Sequence, residues 1–362
     1  MAVSERVGMR GQRAGVGGGV RHAPARLAAD VERRFVVPTY TSRRPGRWAA
    51  AHRTLALPFS LVGTVSRHVA MLDGAELSVA CAGRAGRFEA LLGALGAEPS
   101  ARANSGVSAR APLWSPAALA RLDADMTMAH VHRWAAPAFR RAGWITVPEA
   151  VRWVGTTATV PPPDPSDSLR ANLRKVARYD YRLEIATAPS DWEEFFAGMV
   201  VPSARSRFGA DAWVPSAHLR RALAARGAIH FARRDGRRIA GMCVVPCADG
   251  IWCPVGGLAG GDVRLLREGA ESALQALSFA WARAQGHTRI DLGRTVPFLN
   301  DGVARSKRTW GFAPALDPLV PLVAIRMRAG RAKLEQLFAH SRLLHETDQG
   351  LAPLGGEEGR RE

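Results

Sequence analysis

The sequence predicts an α/β (α+β) fold in which mixed, mainly antiparallel sheet is flanked by helices and the chain divides into two halves. Its 362 residues exceed the usual size of one hydrophobic core. Strand-like and helix-like runs alternate between Val36 and Thr157, and a strand meander followed by a long apolar helix pattern fills the second half. Together these observations exclude an all-helical or all-β protein.

Composition limits the partners and the compartment. The hydrophobic fraction of 47% suits a globular protein, and no apolar run reaches the ~18 to 20 residues of a membrane span. Sparse cysteines indicate a reducing compartment, so we expect a cytoplasmic protein. The net charge of +18 suggests an anionic partner. Arginine supplies nearly all of it, since lysine occurs only at Lys175, Lys307 and Lys333, as a GC-rich coding sequence would also produce.

Low-complexity segments and a proline run predict the domain boundaries. Residues 1–30 read as a disordered basic arm, and Pro161–Pro165 cannot continue a helix or a sheet ladder. We predict five segments in chain order: a basic arm 1–30, an N-terminal α/β domain 31–160, a C-terminal domain 161–330, an amphipathic helix 331–349 and a disordered tail 350–362.

The first half shows five short patterned runs. They are Leu77–Cys81, Arg87–Leu95, Met126–His132, Ala136–Ala142 and Ile145–Val154. His130 and His132 would share a strand face, but no third ligand is nearby, so we expect a structural role and no metal. The tryptophans of this half, Trp134, Trp144 and Trp153, are interpreted as core or interface residues.

The second half opens with a helix that carries a cationic stripe. Ser166–Ser168 are good N-cap residues for a helix that continues to about Tyr179. Arg170, Arg174 and Arg178 recur every four residues on one face. We expect this stripe to attract the anionic group of a substrate.

A hairpin meander and a crossover follow. Asp235-Gly236 and Asp249-Gly250 separate β-rich runs, which predicts three antiparallel strands. From Leu266 to Ala284 the apolar period becomes helical, and a strand at Thr288–Leu292 completes a βαβ-like unit. An anionic cofactor would bind at the start of this helix, where backbone N–H groups lack partners. The candidates are Gly256, Gly257, Gly260, Gly261, Arg264 and Arg267, and the alternative is that the glycines only form a turn between strand and helix.

Two later motifs resemble a known family. Asp291-Leu292-Gly293 followed by Lys307, Trp310 and Gly311 is similar to the C-terminal motif of Fem-like, BioF2-type acetyltransferase-like domains of the GNAT superfamily. With the basic opening helix, the resemblance spans about Ser168 to Pro314. It implies two GNAT-like halves, of which the N-terminal one is degenerate or a companion.

The resemblance implies an acyltransferase acting on an amine or hydroxyl of a small acceptor, which is phosphorylated or carrier-linked. Asp291 and Asp301 are the candidates for orienting or deprotonating the acceptor, and Lys307 for steadying charge at the reacting carbonyl. Arg294 and Trp310, which lie in the same motifs, are expected to contact substrate together with the arginine stripe.

Departures from the pattern keep alternatives open. The Q/R-x-x-G-x-G/A loop of acetyl-CoA-dependent GNAT enzymes is absent, so an acyl-CoA donor is expected without a commitment to acetyl-CoA. A tRNA-dependent aminoacyl transferase for a cell-envelope precursor and a noncatalytic nucleic-acid-binding module are the alternatives. The stretch Arg331–Leu344 either packs on its own domain or lies on an anionic membrane.

Overall fold

The protein is described by a computed structural model that covers residues 37–41, 47, 49–51, 62–72, 75–83, 88–99, 110–209 and 212–354. The predicted basic arm and most of the predicted tail lie outside these residues. Within them, strands and helices form two sheets covered by helices, so the predicted fold class is confirmed.

The elements are numbered in chain order. The strands are β1 Val62–Leu72, β2 Ala75–Gly83, β3 Glu98–Pro99, β4 Arg110–Pro112, β5 Met126–Val131, β6 Ile145–Pro148, β7 Val151–Thr156, β8 Arg182–Ala186, β9 Ala228–Arg234, β10 Arg237–Pro246, β11 Gly250–Trp252, β12 Gly256–Leu258, β13 Arg289–Thr295, β14 Ala313–Ala315, β15 Leu322–Met327, β16 Leu344–Thr347 and β17 Gly350–Pro353. The α-helices are α1 Val37–Thr41, α2 Glu89–Ala94, α3 Pro116–Leu119, α4 Ala136–Arg141, α5 Asp167–Arg178, α6 Pro189–Phe195, α7 Val201–Phe208, α8 Ala217–Ala224, α9 Arg264–Arg267, α10 Ala270–Ala284, α11 Gly302–Thr309 and α12 Arg331–Phe338.

The first sheet has the order β3-β1-β2-β5-β15-β6, with β4 also paired to β1. Its central strand β5 runs parallel to β2 and antiparallel to β15. All six residues of β5 are buried, which suits a strand covered on both faces. Helix α12 contributes Leu334 and Phe338 to the apolar cluster beneath this sheet.

The second sheet has the order β14-β7-β13-β11-β10-β9-β8, with β12 also paired to β10. The predicted antiparallel meander is formed by β9, β10 and a third strand that the structure divides into β11 and β12, both of which pair with β10. Strand β11 runs parallel to β13, as the predicted crossover requires. Helix α10 packs on this sheet through buried residues such as Leu274 and Phe279. This helix therefore connects two parallel neighbours across one face.

Each sheet contains a strand from the other side of the predicted proline boundary. Strand β7, which precedes Pro161, belongs to the second sheet, whereas β15 returns from the C-terminal region to the first sheet. The predicted run Ile145–Val154 accordingly splits into β6 and β7, one in each sheet. The split occurs at Glu149, whose N–H donates to the Pro321 carbonyl 3.1 Å away. The composition-based domain boundaries stay a prediction.

Three other expectations need correction. The helix predicted from Leu266 is broken by Gly269, which has a φ of 81°, into α9 and α10. The helix predicted over 331–349 ends at Phe338, because Arg342 adopts a φ of 48° and Leu344–Thr347 pairs as a strand. The predicted tail begins as β17, which pairs with β16.

Burial decides between the two interpretations of the C-terminal amphipathic stretch. Leu334 is 1% exposed and Phe338 is fully buried, so this face packs on its own protein and not on a membrane. No helix in the described part of the chain has the length and apolarity to cross a bilayer. Trp144 and Trp153 are buried as predicted, but the prediction for Trp134 was wrong, since 54% of it is exposed.

Candidate active site

The candidate site lies where the parallel strands β11 and β13 end. Their register pairs Gly250 with Arg289 and Trp252 with Asp291, so both carboxyl ends reach the same edge of the sheet. Ligands of open α/β sheets bind outside such ends. The motifs from Asp291 to Gly293 and from Lys307 to Trp310 both belong to this edge or to the helix beside it.

Lys307 projects from α11 onto the end of β13. Its ammonium Nζ donates to the carbonyl oxygen of Leu292 at 2.8 Å and lies 3.5 and 3.4 Å from those of Gly293 and Arg294. The residue is 8% exposed. Burial lowers the pKa of Lys307 to about 8, and the charges of Asp291, Asp301 and Glu271 oppose this shift. Lys307 therefore faces the sheet edge and not bulk water.

Asp291 is held on both carboxylate oxygens. Oδ2 accepts from Arg152 Nε at 2.8 Å and from its Nη2, while Oδ1 accepts from the Gly293 N–H at 2.8 Å. Asp291 is 3% exposed, and Gly293 accepts the φ of 71° that this bend in β13 requires. The geometry gives Asp291 a structural partner for each oxygen.

Asp301 uses one oxygen as the N-cap of α11. Its Oδ1 accepts from the N–H groups of Val303 and Ala304, both at 3.0 Å. Its other oxygen, Oδ2, has no hydrogen-bond partner among the described residues. Asp301 is half-buried and its charge acts on Lys307, so the two predicted residues lie in one electrostatic neighbourhood.

The side chain of Arg294, which is 39% exposed, reaches a polar cluster around the buried Asp317 that the sequence did not predict. Its Nε donates to Asp317 Oδ2 at 2.6 Å and its Nη2 to the Tyr40 hydroxyl at 2.6 Å, and that hydroxyl also hydrogen-bonds Asp317. The Tyr40 ring stacks on Trp252 with centroids 4.4 Å apart, and the Arg152 guanidinium lies 4.6 Å above the Tyr40 centroid. The cluster joins segments from both ends of the chain.

Electrostatics explain why this cluster tolerates burial. Burial raises the pKa of the Tyr40 hydroxyl, so the phenol stays neutral and can donate. Burial by itself would raise the pKa of Asp317, but Arg294 and the hydrogen bonds from Tyr40 and Arg294 hold it below its usual value. Two guanidinium groups are thus balanced by two carboxylates, Asp291 and Asp317.

Both β11 and β12 pair with β10, and the hydrogen bonds to β10 are interrupted between them. The Cys243 N–H donates to the Val255 carbonyl at 3.0 Å, and the Cys253 N–H donates to the Asp291 carbonyl at 2.7 Å. Within residues 212–354, however, the N–H of the half-buried Val255 donates to no group. This free donor lies on the same strand end as the candidate site.

The glycines predicted to bind cofactor divide into two kinds. A Cβ on Gly257 would lie 2.5 Å from the Met199 carbonyl oxygen, and one on Gly261 would lie 2.6 Å from that of Pro202. These two glycines therefore allow the backbone near α7 to approach. Gly260, with a φ of 60°, meets nothing within 4 Å, and Gly256 meets only a neighbouring strand at 3.2 Å.

The start of α10 carries both favourable and unfavourable features for an anion. Its first three N–H groups have no acceptor among the described residues, which favours an anion. Glu271 lies in this first turn and already pairs with Arg207 at 3.2 Å, which adds a competing negative charge. Arg264 and Arg267 are exposed nearby, and Arg264 holds Asp262 at 2.9 Å.

The predicted substrate-binding residues also separate. Arg170, Arg174 and Arg178 form an exposed face of α5, although Arg170 lies 3.6 Å from both Asp164 and Asp167. Trp310 is 3% exposed and packs edge-on against Phe279, so it is a core residue in this conformation.

Residues 166–307 match the family model for an acetyltransferase (GNAT) domain, so this part of the chain is a GNAT-type domain and the predicted resemblance is confirmed for it. Curated proteins provide no match.

Several solved structures overlap with the chain at low identity. L-PGS from Bacillus licheniformis is 14% identical, with a TM-score of 0.39 and coverage of 76% of this chain and 88% of that one. The C-terminal domain of a putative lysylphosphatidylglycerol synthetase from Agrobacterium fabrum is 13% identical, with a TM-score of 0.40 and coverage of 92% and 99%. FemX is 11% identical, with a TM-score of 0.39 and coverage of 86% and 97%. Overlaps at this level do not establish a shared activity.

Proposed function

We propose that the protein is an acyltransferase that moves an acyl group from an acyl-CoA-type thioester to an amine or hydroxyl of a small acceptor. The observation that carries the proposal is the GNAT-type domain over residues 166–307, in which Lys307 of α11 contacts the end of β13 and the Val255 N–H after β11 is a free backbone donor. Asp301 caps the same helix. In the reaction, the acceptor attacks the acyl carbon, the C–S bond breaks and the thiol leaves with a proton.

Charge develops on the carbonyl oxygen when the acceptor attacks. The unpaired Val255 N–H is our candidate donor to this oxyanion, because a preorganised backbone dipole costs no reorganisation. The buried positive charge of Lys307 would add a favourable potential, and its three carbonyl contacts fix its position.

Of the two predicted carboxylates, Asp301 fits the role of general base better than Asp291. Asp301 is half-buried with Oδ2 available, whereas both oxygens of Asp291 are occupied and the residue is buried. A base must reach the acceptor proton directly or through one water. We assign Asp291 to holding Arg152 and the bend at Gly293.

The anionic part of the donor would lie beside Gly260 and the start of α10, with Arg264 and Arg267 as cationic contacts. Gly256 lies next to this group, but a Cβ on it would be 3.2 Å from the Gly241 carbonyl oxygen, so Gly260 is the predicted cofactor glycine with open space around it. The arginine stripe on α5 would attract a phosphorylated or carrier-linked acceptor.

A second candidate is a tRNA-dependent aminoacyl transferase. It is favoured by the packing of Gly257 and Gly261 against the backbone of 199–203, which leaves a smaller glycine loop for a CoA pyrophosphate. The exposed stripe of Arg170, Arg174 and Arg178 could follow an RNA backbone equally well.

A thermal-shift series with acyl-CoAs of increasing chain length and with charged and uncharged tRNA would separate these donors. The true donor raises the apparent melting temperature, since a ligand that binds only the folded state stabilises it. A shift with charged tRNA alone would replace the acyl-CoA proposal by the tRNA-dependent one. Nucleic-acid binding that is steeply salt-dependent, with no transfer to any acceptor, would favour the noncatalytic module.

The catalytic assignment is tested with Asp301→Asn, which keeps an oxygen for the helix cap but removes the base. We expect kcat to fall by about 10²-fold or more, with an unchanged melting temperature. The control is Asp123→Asn, an exposed carboxylate that pairs with Arg328. An unchanged kcat in Asp301→Asn would remove Asp301 from the mechanism.

A further inference from the structure

A π-helical turn lies between α6 and α7. It spans Phe196–Val200, and the Val201 N–H donates to the Phe196 carbonyl five residues earlier. Pro202 follows this turn and has no N–H with which to continue the helical bonding. Turns of this kind are rare and are found frequently at functional sites. The contacts that this turn and α7 make therefore bear on function.

The π turn and α7 pack on the outer edge of β12. The Ser203 hydroxyl accepts from the Leu258 N–H at 2.7 Å and donates to the Leu258 carbonyl at 3.4 Å. Ser203 is 6% exposed. A Cβ on Gly257 would lie 2.5 Å from the Met199 carbonyl oxygen, so the two backbones touch. Ser203 thus occupies the place that a neighbouring strand would take on this edge.

A different contact holds the end of β11. The Cys253 N–H donates to the Asp291 carbonyl of β13 at 2.7 Å. Cys253 and Pro254 together stand opposite Val244 of β10, which makes a bulge between β11 and β12. The ladder breaks at this bulge, and the Val255 N–H has no acceptor within the described range 212–354.

The side chain of Val255 also packs toward the π turn. It joins the apolar cluster that contains Phe196, Met199 and Val200. Strand β11 is therefore bonded to β13, β12 is bonded to α7, and Val255 lies between the two attachments. This arrangement explains how one N–H beside the candidate site remains unpaired.

We propose that Ser203 is a positioning residue, which holds β12 on α7 and thereby keeps the Val255 N–H free for the oxyanion. The inference rests on the proposed acyl transfer. An unpaired backbone N–H is unfavourable, so a mobile β12 would shift to give it an acceptor. The bonds from Ser203 oppose this shift, although its hydroxyl touches no reacting atom.

Ser203→Ala and the similarly sized Ser203→Cys test the inference on the full chain. Ser206→Ala is the matched control, because Ser206 is exposed on the same helix. Amide hydrogen exchange should become faster at residues 255–258 in both Ser203 variants and stay unchanged at residues 250–252. In acyl transfer, kcat per folded molecule should fall by about tenfold while KM for the donor changes by less than about twofold, because the oxyanion forms only in the transition state.

Four results would overturn the inference. Wild-type exchange at residues 255–258 in both variants would show that Ser203 does not hold β12. Faster exchange with an unchanged kcat would show that the position of β12 does not limit the reaction. A raised KM with an unchanged kcat would assign Ser203 to donor binding, and an equal loss of kcat in Ser206→Ala would indicate a general effect on α7.

Failure of the proposed function gives a different result. Wild-type protein that transfers no acyl group from any acyl-CoA or charged tRNA would overturn the acyl transfer and, with it, the catalytic part of this inference. The exchange rates of the Ser203 variants would then decide by themselves whether Ser203 holds β12.

Discussion

Strands β5 and β13 occupy equivalent places in the two sheets but differ in their chemistry. Each has one parallel and one antiparallel neighbour, β2 and β15 for β5, and β11 and β7 for β13. Strand β5 is buried throughout and contains no charged residue. Strand β13 carries Asp291 and Arg294, and it bends at Gly293.

The difference shows where the protein keeps buried charged side chains, which are unfavourable for folding. Burying a charge is unfavourable unless a partner and hydrogen bonds compensate it, and β13 has such partners in Arg152, Asp317 and Lys307. An apolar strand such as β5 would form a sheet at least as stable. We conclude that β5 serves as scaffold, whereas β13 carries charged side chains that are held in place by their partners.

Arg152→Ala gives the largest expected effect. The substitution leaves Asp291 buried without its charged partner, so the free energy of unfolding should fall by about 3–5 kcal/mol. Urea unfolding followed by circular dichroism measures it. The control is Arg182→Ala, whose pair with Asp180 is 78% exposed on both sides and should contribute less than about 1 kcal/mol. Equal effects of the two substitutions would contradict the comparison.

Lys307→Met tests whether the buried charge beside β13 contributes to catalysis. Removal of the buried charge should lower kcat/KM by about 10²-fold per folded molecule. Met128→Ala in β5 should lower the free energy of unfolding by about 2–5 kcal/mol but leave kcat/KM of the folded fraction unchanged. Steady-state kinetics below each melting temperature measures both. If Met128→Ala lowers kcat/KM as much as Lys307→Met does, β5 is not merely scaffold.

The pH dependence of stability gives the smallest effect. Burial lowers the pKa of Lys307 to about 8 from its ordinary value of 10.5, so between these values the unfolded chain binds more protons than the folded one. This residue should therefore raise stability as pH rises, by about 1 kcal/mol between pH 8 and 9. Buried thiols such as Cys243 act in the opposite direction, because burial raises their pKa.

The difference between wild type and Lys307→Met isolates the lysine from the thiols. Urea midpoints at pH 7, 8, 9 and 10 give this difference directly. If the difference in stability between wild type and Lys307→Met is the same at every pH in this range, Lys307 does not titrate there.

Local patterns predicted most of the second half correctly. Ser166 caps α5, Asp235 and Gly236 adopt the positive φ angles of a tight turn, and α10 connects two parallel strands. One correct prediction had a different cause. Gly250 was expected to supply a turn, but a Cβ there would lie 1.9 Å from the Arg289 carbonyl oxygen, so close approach of β13 requires the glycine.

The partners of the buried charges could not be predicted in the same way. Tyr40 and Asp317 are 277 residues apart in the chain, and Arg152 is 139 residues from Asp291. The one available signal was an arginine inside the apolar run from Val151 to Val154, which indicated a buried partner without identifying it. The same limit explains Trp310, which was expected to contact substrate but packs on Phe279.

Caps, hairpin turns and apolar periodicity depend on residues within about one helical turn of each other, so the amino-acid sequence specified them directly. Three other features depend on segments far apart in the chain. They are the exchange of β7 and β15 between the sheets, the hydrogen bonds to both oxygens of Asp291 and the close approach of α7 to glycines. Whether a side chain is buried or paired depends on which of these distant segments pack against it. They became defined only when the two sheets formed and packed.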